Sequence, residues 1–327
     1  MLRIHFSGAD LGRLRLAAQP DVMWETVLSL HQLVLPDPFF APWNRLARKA
    51  LVDTGAGRDV HLLTTLAPIS SYFPDFLTPP GHSTDFDGAV DEVLSTGRGR
   101  LRPEIDRLAG SHSRPPAWLD DIGAGRPRAL RRLGSALRRY HATVLAPYAP
   151  EGAERAGREA TRHAQRTLEQ GGEALLSGLG PGLRWRPPVL EVVYPVDQTL
   201  ELDGRGLLLV PSFFCHNHPI AFADPGLPPV LVYPVARSPL WIPRAANGEP
   251  NGQGLDDLIG STRAAALRFL DTGHSTTTLA ASLCTSIATA SRHAAVLRRA
   301  GLVATERLGS SVVHTRTALG TALVHGG

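Results

Sequence analysis

The stretch of sequence that decides the fold of the C-terminal part is CTSIATASRHAAVLRRAGLVATERLGSSVVHTRT, residues 284–317. Small and hydroxyl side chains come first, arginines follow, and a Gly-Ser-Ser sequence then separates two β-branched runs. Apolar residues spaced by three and four predict a helix in the first half of the stretch. The Gly-Ser-Ser sequence predicts the turn of a β-hairpin in the second half. We therefore expect a helix that leads directly into a hairpin.

The residues before this stretch predict two more helices. The segments that predict them are LDDLIGSTRAAALRFLDTG, residues 255–273, and STTTLAASLC, residues 275–284. Ser275 or Thr276 is expected to cap the second helix and Ser286 the third, while Gly301 stands where a helix C-cap is expected. Three helices and a hairpin within roughly seventy residues form the plan of a winged helix-turn-helix.

The third predicted helix has two different faces. One is expected to be a buried stripe, which consists of Ile287, Ala290, Ala294 and Leu297. The opposite face carries Ala288, Thr289, Arg292, Ala295 and Arg299, with Ser291 at its margin. Small residues, hydroxyls and arginine suit close approach to the major groove of DNA, about 12 Å wide. We expect Thr289, Ser291 and Arg292 to read the base sequence.

The predicted hairpin would act as the wing. Four of its residues are expected to project toward the sugar-phosphate backbone or the minor groove: Arg307, Ser310, Ser311 and His314. Residues 255–327, the predicted winged helix-turn-helix domain, hold seven arginines and four acidic residues, a net charge of +3. Because contacts between cations and phosphates dominate binding to DNA, this excess favours double-stranded DNA as the partner. An amphipathic helix with arginines on one side is also typical of a face that is simply exposed to solvent, and winged helices also serve as protein-interaction modules.

The whole chain predicts an α+β protein with several parts. Its 327 residues, 43% of them hydrophobic, suffice for two or more domains. Helical spacing dominates residues 1–180, the expected regulatory and dimerisation domain. β-Branched runs in residues 181–243 predict a small antiparallel β region packed with it, with a hairpin turn at Asp203-Gly204. Residues 244–254 are rich in Gly and Pro and predict a linker.

Neither a metal site nor a cofactor site is predicted. Cys215 and Cys284 lie far apart and form no CxxC pair, and His216 with His218 lacks an identifiable third ligand. Asp53, in ALVDTGAGRD, matches the Asp-Thr-Gly of retroviral-type aspartic proteases. Its surroundings are helical, so we expect a loop that ends a helix.

The chain also lacks the features of a membrane or secreted protein. No apolar run approaches about eighteen residues, and the N-terminus lacks the apolar core of a signal peptide. We therefore expect a cytoplasmic protein with no membrane partner.

Aromatic residues in the first third of the chain predict core packing. An apolar pocket for a small-molecule effector is expected in the helical domain of residues 1–180. The aromatic residues are Trp24, Trp43, Tyr72, Phe73, Phe76 and Phe86.

Residues 276–317, TTTLAASLCTSIATASRHAAVLRRAGLVATERLGSSVVHTRT, resemble the winged helix-turn-helix of the ArsR-type bacterial transcriptional regulators. The match is strongest at SRHAAVLRRAGLV, residues 291–303, where this family has a recognition helix ending in VLRxAGLV. The N-terminal region, with STDFDGAV, LLLVPSFFC and PPVLVYPV, resembles a large domain of unknown function that precedes such a module in some actinobacterial regulators.

The resemblance implies a sequence-specific DNA-binding regulator, a homodimer whose repression is relieved by a ligand acting through the N-terminal domain. Its recognition and wing positions fall on seven residues: Ser286, Thr289, Ser291, Arg292, His293, Arg307 and Ser310. His293 lies beside the buried stripe and is expected to combine packing with a phosphate contact. Metal-sensing members carry a Cys-x-Cys pair, whereas TLAASLC offers only Cys284, so metal sensing is not expected.

Two other functions are compatible with the sequence. The N-terminal region could be an enzyme, or a former enzyme, with an accessory winged helix. Alternatively, the winged helix could serve as a protein–protein adaptor. Binding to DNA that falls steeply with salt would favour a regulator, whereas turnover of a substrate by the chain without residues 255–327 would favour an enzyme.

Overall fold

The computed structural model describes residues 1–35, 38–70, 72–180, 182–215, 218–235, 253–308 and 311–325. The chain divides into two compact units, Met1–Ile242 and Pro243–Gly327, called here the N-terminal and the C-terminal unit. Both units contain helices and strands, so the predicted α+β class is confirmed. No helix in the described ranges is both long enough and apolar enough to cross a bilayer.

The N-terminal unit is mostly helical up to residue 178, as its apolar spacing predicts. Its helices are α1 (Gly8–Gly12), α2 (Val22–Val34), α3 (Ala41–Asp53), α4 (Gly57–Leu66), α5 (Phe86–Leu94), α6 (Arg98–Gly110), α7 (Trp118–Gly123), α8 (Pro127–Tyr140), α9 (Ala149–Gln170) and α10 (Gly172–Gly178). Asp21 caps α2, because its Oδ1 atom accepts hydrogen bonds from the N–H groups of Met23 and Trp24 at 2.9 and 3.0 Å. Gly171, at φ +85°, separates α9 from α10.

Aromatic side chains fill the centre of this helical part. Three of the six aromatic residues that the sequence predicts to pack in the core are fully buried: Trp24, Trp43 and Phe76. The other three, Tyr72, Phe73 and Phe86, are partly buried against the same cluster. Since one aromatic side chain buries about 150–250 Å² of surface, these residues account for much of the core that holds the helices together.

Two four-stranded sheets complete the N-terminal unit. The strands are β1 (Leu2–His5), β2 (Arg15–Leu16), β3 (Leu183–Arg186), β4 (Val189–Val192), β5 (Gln198–Glu201), β6 (Leu208–Ser212), β7 (Ile220–Ala221) and β8 (Val230–Pro234). The strand orders are β3-β4-β1-β5 and β2-β6-β8-β7. Leu2 pairs with Val192 and Ile4 with Leu190, and all four side chains are fully buried in a second core. The first strand of the chain is thus held by strands from residues 189–201.

Both sheets are mixed, which corrects the predicted antiparallel β region. Although β3 pairs with β4 and β7 with β8 in an antiparallel manner, β1 runs parallel to β5, and β6 runs parallel to β2 and β8. The predicted hairpin at Asp203-Gly204 is also wrong. Both residues have positive φ, +51° and +79°, as an Asp-Gly turn favours, but the turn joins β5 to β6 in the other sheet. The dipeptide determines the local turn, whereas side-chain burial determines the partners of the flanking strands.

The C-terminal unit contains the helices and the hairpin that the sequence predicts, with additional elements. These are α11 (Gln253–Ile259), α12 (Ser261–Phe269), β9 (His274–Ser275), α13 (Thr276–Ser282), α14 (Ile287–Arg299), β10 (Val303–Leu308), β11 (Ser311–Arg316) and α15 (Ala318–His325). β9 pairs with β11, so the hairpin is part of a three-stranded antiparallel sheet of order β10-β11-β9. Buried leucines and alanines of α12, α13 and α14 form the core of this unit.

Glycine interrupts the first predicted helix of this unit. The segment 255–273 is divided into α11 and α12 at Gly260, which has φ +84°, a conformation that non-glycine residues rarely adopt. Most of the predicted linker 244–254 lies outside the described residues. Its last two residues, Gln253 and Gly254, belong to α11.

Candidate nucleic-acid interface

Hydroxyl caps fix the start of the two helices that lead to the hairpin. Ser275 Oγ accepts a hydrogen bond from the N–H of Thr278 at 3.1 Å, and Ser286 Oγ accepts one from the N–H of Thr289 at 3.2 Å. Gly301 follows α14 at φ +72°. All three predicted helix ends are therefore confirmed.

The turn between α13 and α14 contains a residue whose role was not predicted. Cys284 has φ +48°, the left-handed conformation in which glycine is the usual residue. Its N–H donates to the carbonyl oxygen of Ala281 at 3.2 Å, and the N–H of Thr285 donates to that of Ala280 at 3.0 Å. This turn sets the direction in which α14 leaves α13. Sequence patterns do not indicate this turn, since cysteine is not a typical turn residue.

Three of the four residues predicted on the inner face of α14 are buried. Ala290, Ala294 and Leu297 are at most 2% exposed and belong to the core of the unit. Ile287 is 55% exposed, so its predicted place in the stripe is wrong. Ile287 fits the apolar spacing of three and four positions, but it is the first residue of the helix. No described element covers its side chain there.

The outer face of α14 is exposed at Ala288, Arg292 and Arg299, whereas Ala295 is half-buried. Ser286, Ser291, Arg292 and Arg299 are exposed, while Thr289 and His293 are half-buried at the sides of the helix. The Nη2 atom of Arg292 donates to Thr289 Oγ1 at 3.4 Å. Two of the residues expected to read bases are therefore in contact with each other. His293 lies beside the buried face, as the sequence predicts.

The arginines expected to contact DNA have no acidic partner among the described residues. The ion pair described for the C-terminal unit joins Arg268 Nη2 of α12 to Asp256 Oδ1 of α11 at 2.7 Å. Among the described residues, no carboxylate forms an ion pair with Arg292, Arg299 or Arg307. Their positive charge is thus available to an external anion.

The hairpin carries its polar residues on two sides. Paired residues of an antiparallel ladder share a face, and successive residues alternate between faces. Arg307 pairs with Val312 and Thr305 with His314, so these four share one face. Ser311 pairs with Leu308 and lies on the opposite face. Arg307 and Ser311 are both exposed, whereas Ser310 lies outside the described residues.

His314 does not project from the hairpin, which corrects the prediction for this residue. It is 5% exposed, with Nδ1 2.9 Å from Thr305 Oγ1 and Nε2 2.9 Å from Thr276 Oγ1. Burial lowers the pKa of His314, and the nearby charge of Arg298 lowers it further. The neutral imidazole therefore ties both strands of the hairpin to the start of α13. Val312, on the same face of β11, is 39% exposed, so the alternation of side chains gives no signal for the inward position of His314.

The residues weighed for metal binding or proteolysis lie in ordinary surroundings. Cys215 is buried, and its Sγ atom donates to the carbonyl oxygen of His218 at 3.3 Å, while His216 lies outside the described residues. No three metal-ligating side chains come together within the described ranges. Asp53 is the last residue of α3, so the prediction of a helix end there is confirmed.

The N-terminal unit has a cavity of about 900 Å³ that is lined mainly by residues of α7 and α8. Two smaller cavities are lined by residues of α2 and by partly buried aromatic residues. One, of about 390 Å³, is lined by residues of α2 and the start of α9 together with Phe86. The other, of about 190 Å³, is lined by Tyr72, Phe73 and residues of α2. Phe214 lines both cavities. The cavity of about 390 Å³ falls within the usual range of small-molecule sites, about 300–1,000 Å³.

Comparisons of the chain with protein-family models, curated proteins and solved structures give no match.

Proposed function

We propose that the C-terminal unit is a winged helix-turn-helix that binds double-stranded DNA and that the chain is a sequence-specific transcriptional regulator. One observation carries this proposal: the outer face of α14 exposes Ser291, Arg292 and Arg299, and no described carboxylate forms an ion pair with either arginine. A face of hydroxyls and unpaired guanidinium groups on a rigid helix suits the major groove.

The side chains divide between two tasks. Thr289, Ser291 and Arg292 contact base edges, because all three lie on the first half of the helix and outside its buried stripe. Arg299, Arg307 and Ser311 contact phosphates and sugars beside the groove. His293 packs at the side of the helix and reaches a phosphate. Ser286, whose hydroxyl is held by the N–H of Thr289, acts mainly through the geometry of the helix start.

The regulator acts in the cytoplasm as a homodimer. A single recognition helix reads only a few base pairs, and a two-fold pair of helices reads two half-sites about 34–36 Å apart. The N-terminal unit supplies the dimer contact and responds to a small molecule, which releases the repressor from DNA. The cavity of about 390 Å³ beside α2 supports the second of these roles.

Titration of the full-length protein into labelled DNA from its own promoter region tests the proposal. Binding is expected with an affinity that falls steeply between about 50 and 200 mM salt, because cations of the protein displace counterions from phosphates. An unrelated duplex of equal length should bind at least about a thousandfold more weakly. Absence of binding to any promoter fragment, or binding insensitive to salt, would contradict the proposal and favour a protein–protein adaptor.

A further inference from the structure

We propose that the larger of the two cavities beside α2, of about 390 Å³, is a binding site for an amphipathic cation, an apolar molecule that carries one ammonium group, with the Glu25 carboxylate as its counter-ion. The proposal concerns the N-terminal unit alone. It is independent of whether the C-terminal unit binds DNA.

The cavity is built from four parts of the chain around Glu25. Glu25 lies in the first turn of α2, and the π-helical segment His141–Leu145 and the first turns of α9 form further walls. Phe213 and Phe214, which follow β6, line it as well. All of these parts are packed into the main core of the unit, so the walls are fixed before any ligand arrives.

The carboxylate of Glu25 is held in place by uncharged donors. Its Oε1 atom accepts hydrogen bonds from the Ser212 hydroxyl and from the N–H of Phe213, the latter at 3.0 Å. Ser212 is oriented in turn, because its Oγ atom accepts from the N–H of Cys215 at 3.0 Å. Ser212 is 1% exposed. Such a buried network fixes the position of the acid group without neutralising its charge.

In the part of the chain that the structure describes, the lining of the cavity supplies no positive charge to compensate this acid. Among the described residues that line the cavity, Glu25 is the acidic one, and neither lysine nor arginine is present. His141 also lines the cavity, but burial lowers its pKa and favours the neutral form. Burial raises the pKa of Glu25 to about 7, and the charge of Asp21 adds to this effect. An uncompensated buried carboxylate is costly, so a ligand that brings a cation into contact with it is favoured over a neutral or anionic one.

The remaining walls match the apolar part of such a ligand. Most lining residues are apolar, and aromatic rings of Phe86, Tyr148, Phe213 and Phe214 are among them. The ring of Phe86 is stacked on His141 with centroids 3.7 Å apart and an angle of 11°. Aromatic faces attract cations as well as apolar groups, which favours an ammonium ion that carries a ring or an alkyl chain.

Isothermal titration calorimetry with two isosteric probes tests the site in the full-length protein at neutral pH. The probes are naphthylmethylamine, which is protonated, and naphthylmethanol, which is neutral. The amine is expected to bind about 10- to 100-fold more tightly than the alcohol, the usual range for a hydrogen bond to a charged group. In Glu25→Gln this preference should disappear, because Gln retains an oxygen that accepts from Ser212 and Phe213 but lacks the charge.

Two further variants locate the binding. Glu169→Gln removes an exposed acid of α9 outside the cavity and should leave the preference unchanged. Ala153→Phe fills the cavity and should abolish binding of both probes. Three results would each overturn the proposal. The parent could bind amine and alcohol with equal affinity, or it could fail to bind the amine up to about millimolar concentration. Alternatively, Glu25→Gln or Ala153→Phe could bind the amine as tightly as the parent.

Discussion

The Nδ1 atom of His314 lies 2.9 Å from the hydroxyl of Thr305, directly across the hairpin of the C-terminal unit. The neutral form of this imidazole is favoured by its burial and by the nearby Arg298. The pair therefore links the geometry of the proposed wing to the protonation state of one buried side chain.

The hairpin is expected to lose stability in acid because of His314. Its folded pKa lies below the ordinary value, about 6.5, so the unfolded state binds this proton more tightly. The contribution to stability is complete above pH of about 6.5 and is lost as the pH falls toward the folded pKa. Hydrogen exchange of peptides from β10 and β11, corrected for intrinsic rates, measures this loss. In His314→Gln, which keeps two polar atoms without titrating, the loss below about pH 6.5 should be absent. An identical pH dependence in parent and variant would show that another group is responsible.

Glu25 is expected to make the N-terminal unit less stable as the pH rises. Its folded pKa, about 7, exceeds the ordinary value of 4.5, so the folded state binds this proton more tightly and stability is lost between these pH values. At about pH 8 Glu25→Gln should therefore be more stable than the parent by about 2–3 kcal/mol, and the gain should shrink toward pH 5. Urea unfolding followed by the fluorescence of the buried Trp24 and Trp43 provides the measurement. A constant difference at all pH values, or a matching gain in Glu169→Gln, would refute this account.

Cys284 is expected to prefer replacement by glycine. At φ +48° a residue with a side chain lowers the free energy of unfolding by about 1–2 kcal/mol. Glycine avoids this strain but lowers the free energy of unfolding by about 0.4–1 kcal/mol, because it increases the conformational freedom of the unfolded chain. Cys284→Gly should therefore leave the C-terminal unit as stable as before or up to about 1 kcal/mol more stable. Gly301→Ala, at φ +72°, is the opposite change and should destabilise. Urea unfolding followed by circular dichroism compares the two, and a clear loss of stability in Cys284→Gly would contradict the role of this turn.

Alanine substitutions of two apolar residues of α14 are expected to change the free energy of unfolding by very different amounts. Leu297 is 2% exposed, so Leu297→Ala should destabilise the C-terminal unit by about 2–5 kcal/mol. Ile287 is 55% exposed, and Ile287→Ala should change the free energy of unfolding by less than about 0.5 kcal/mol. The same unfolding experiment measures both variants. Similar costs would mean that Ile287 is covered, as the sequence alone suggested.

The sequence predicted those features of the fold that local chemistry determines. Ser275, Ser286 and Gly301 mark helix ends because their side chains, or the lack of one, satisfy the backbone at a helix terminus. The outward position of Arg292 follows from helical periodicity in the same way. Both signals depend on residues within a few positions of each other.

Features that depend on distant residues escaped prediction. The parallel pairing of β1 with β5 joins residues about two hundred positions apart, and no pattern within either strand indicates it. The inward position of His314 depends on Thr276, 38 positions earlier. Glu25 becomes a candidate ligand group only because Ser212 and Phe213 meet it from the other end of the unit.

The affinity of Arg292→Ala for duplex DNA from the protein's own promoter region tests the central claim most directly. Fluorescence anisotropy at fixed salt compares it with the parent and with Arg58→Ala, which removes an equal charge from an exposed position on α4. Arg292→Ala is expected to bind about 5- to 150-fold more weakly, the cost of about 1–3 kcal/mol for one base contact, while Arg58→Ala should bind like the parent. If Arg292→Ala binds as tightly as the parent, or if both variants weaken binding equally, α14 is not the helix that reads DNA.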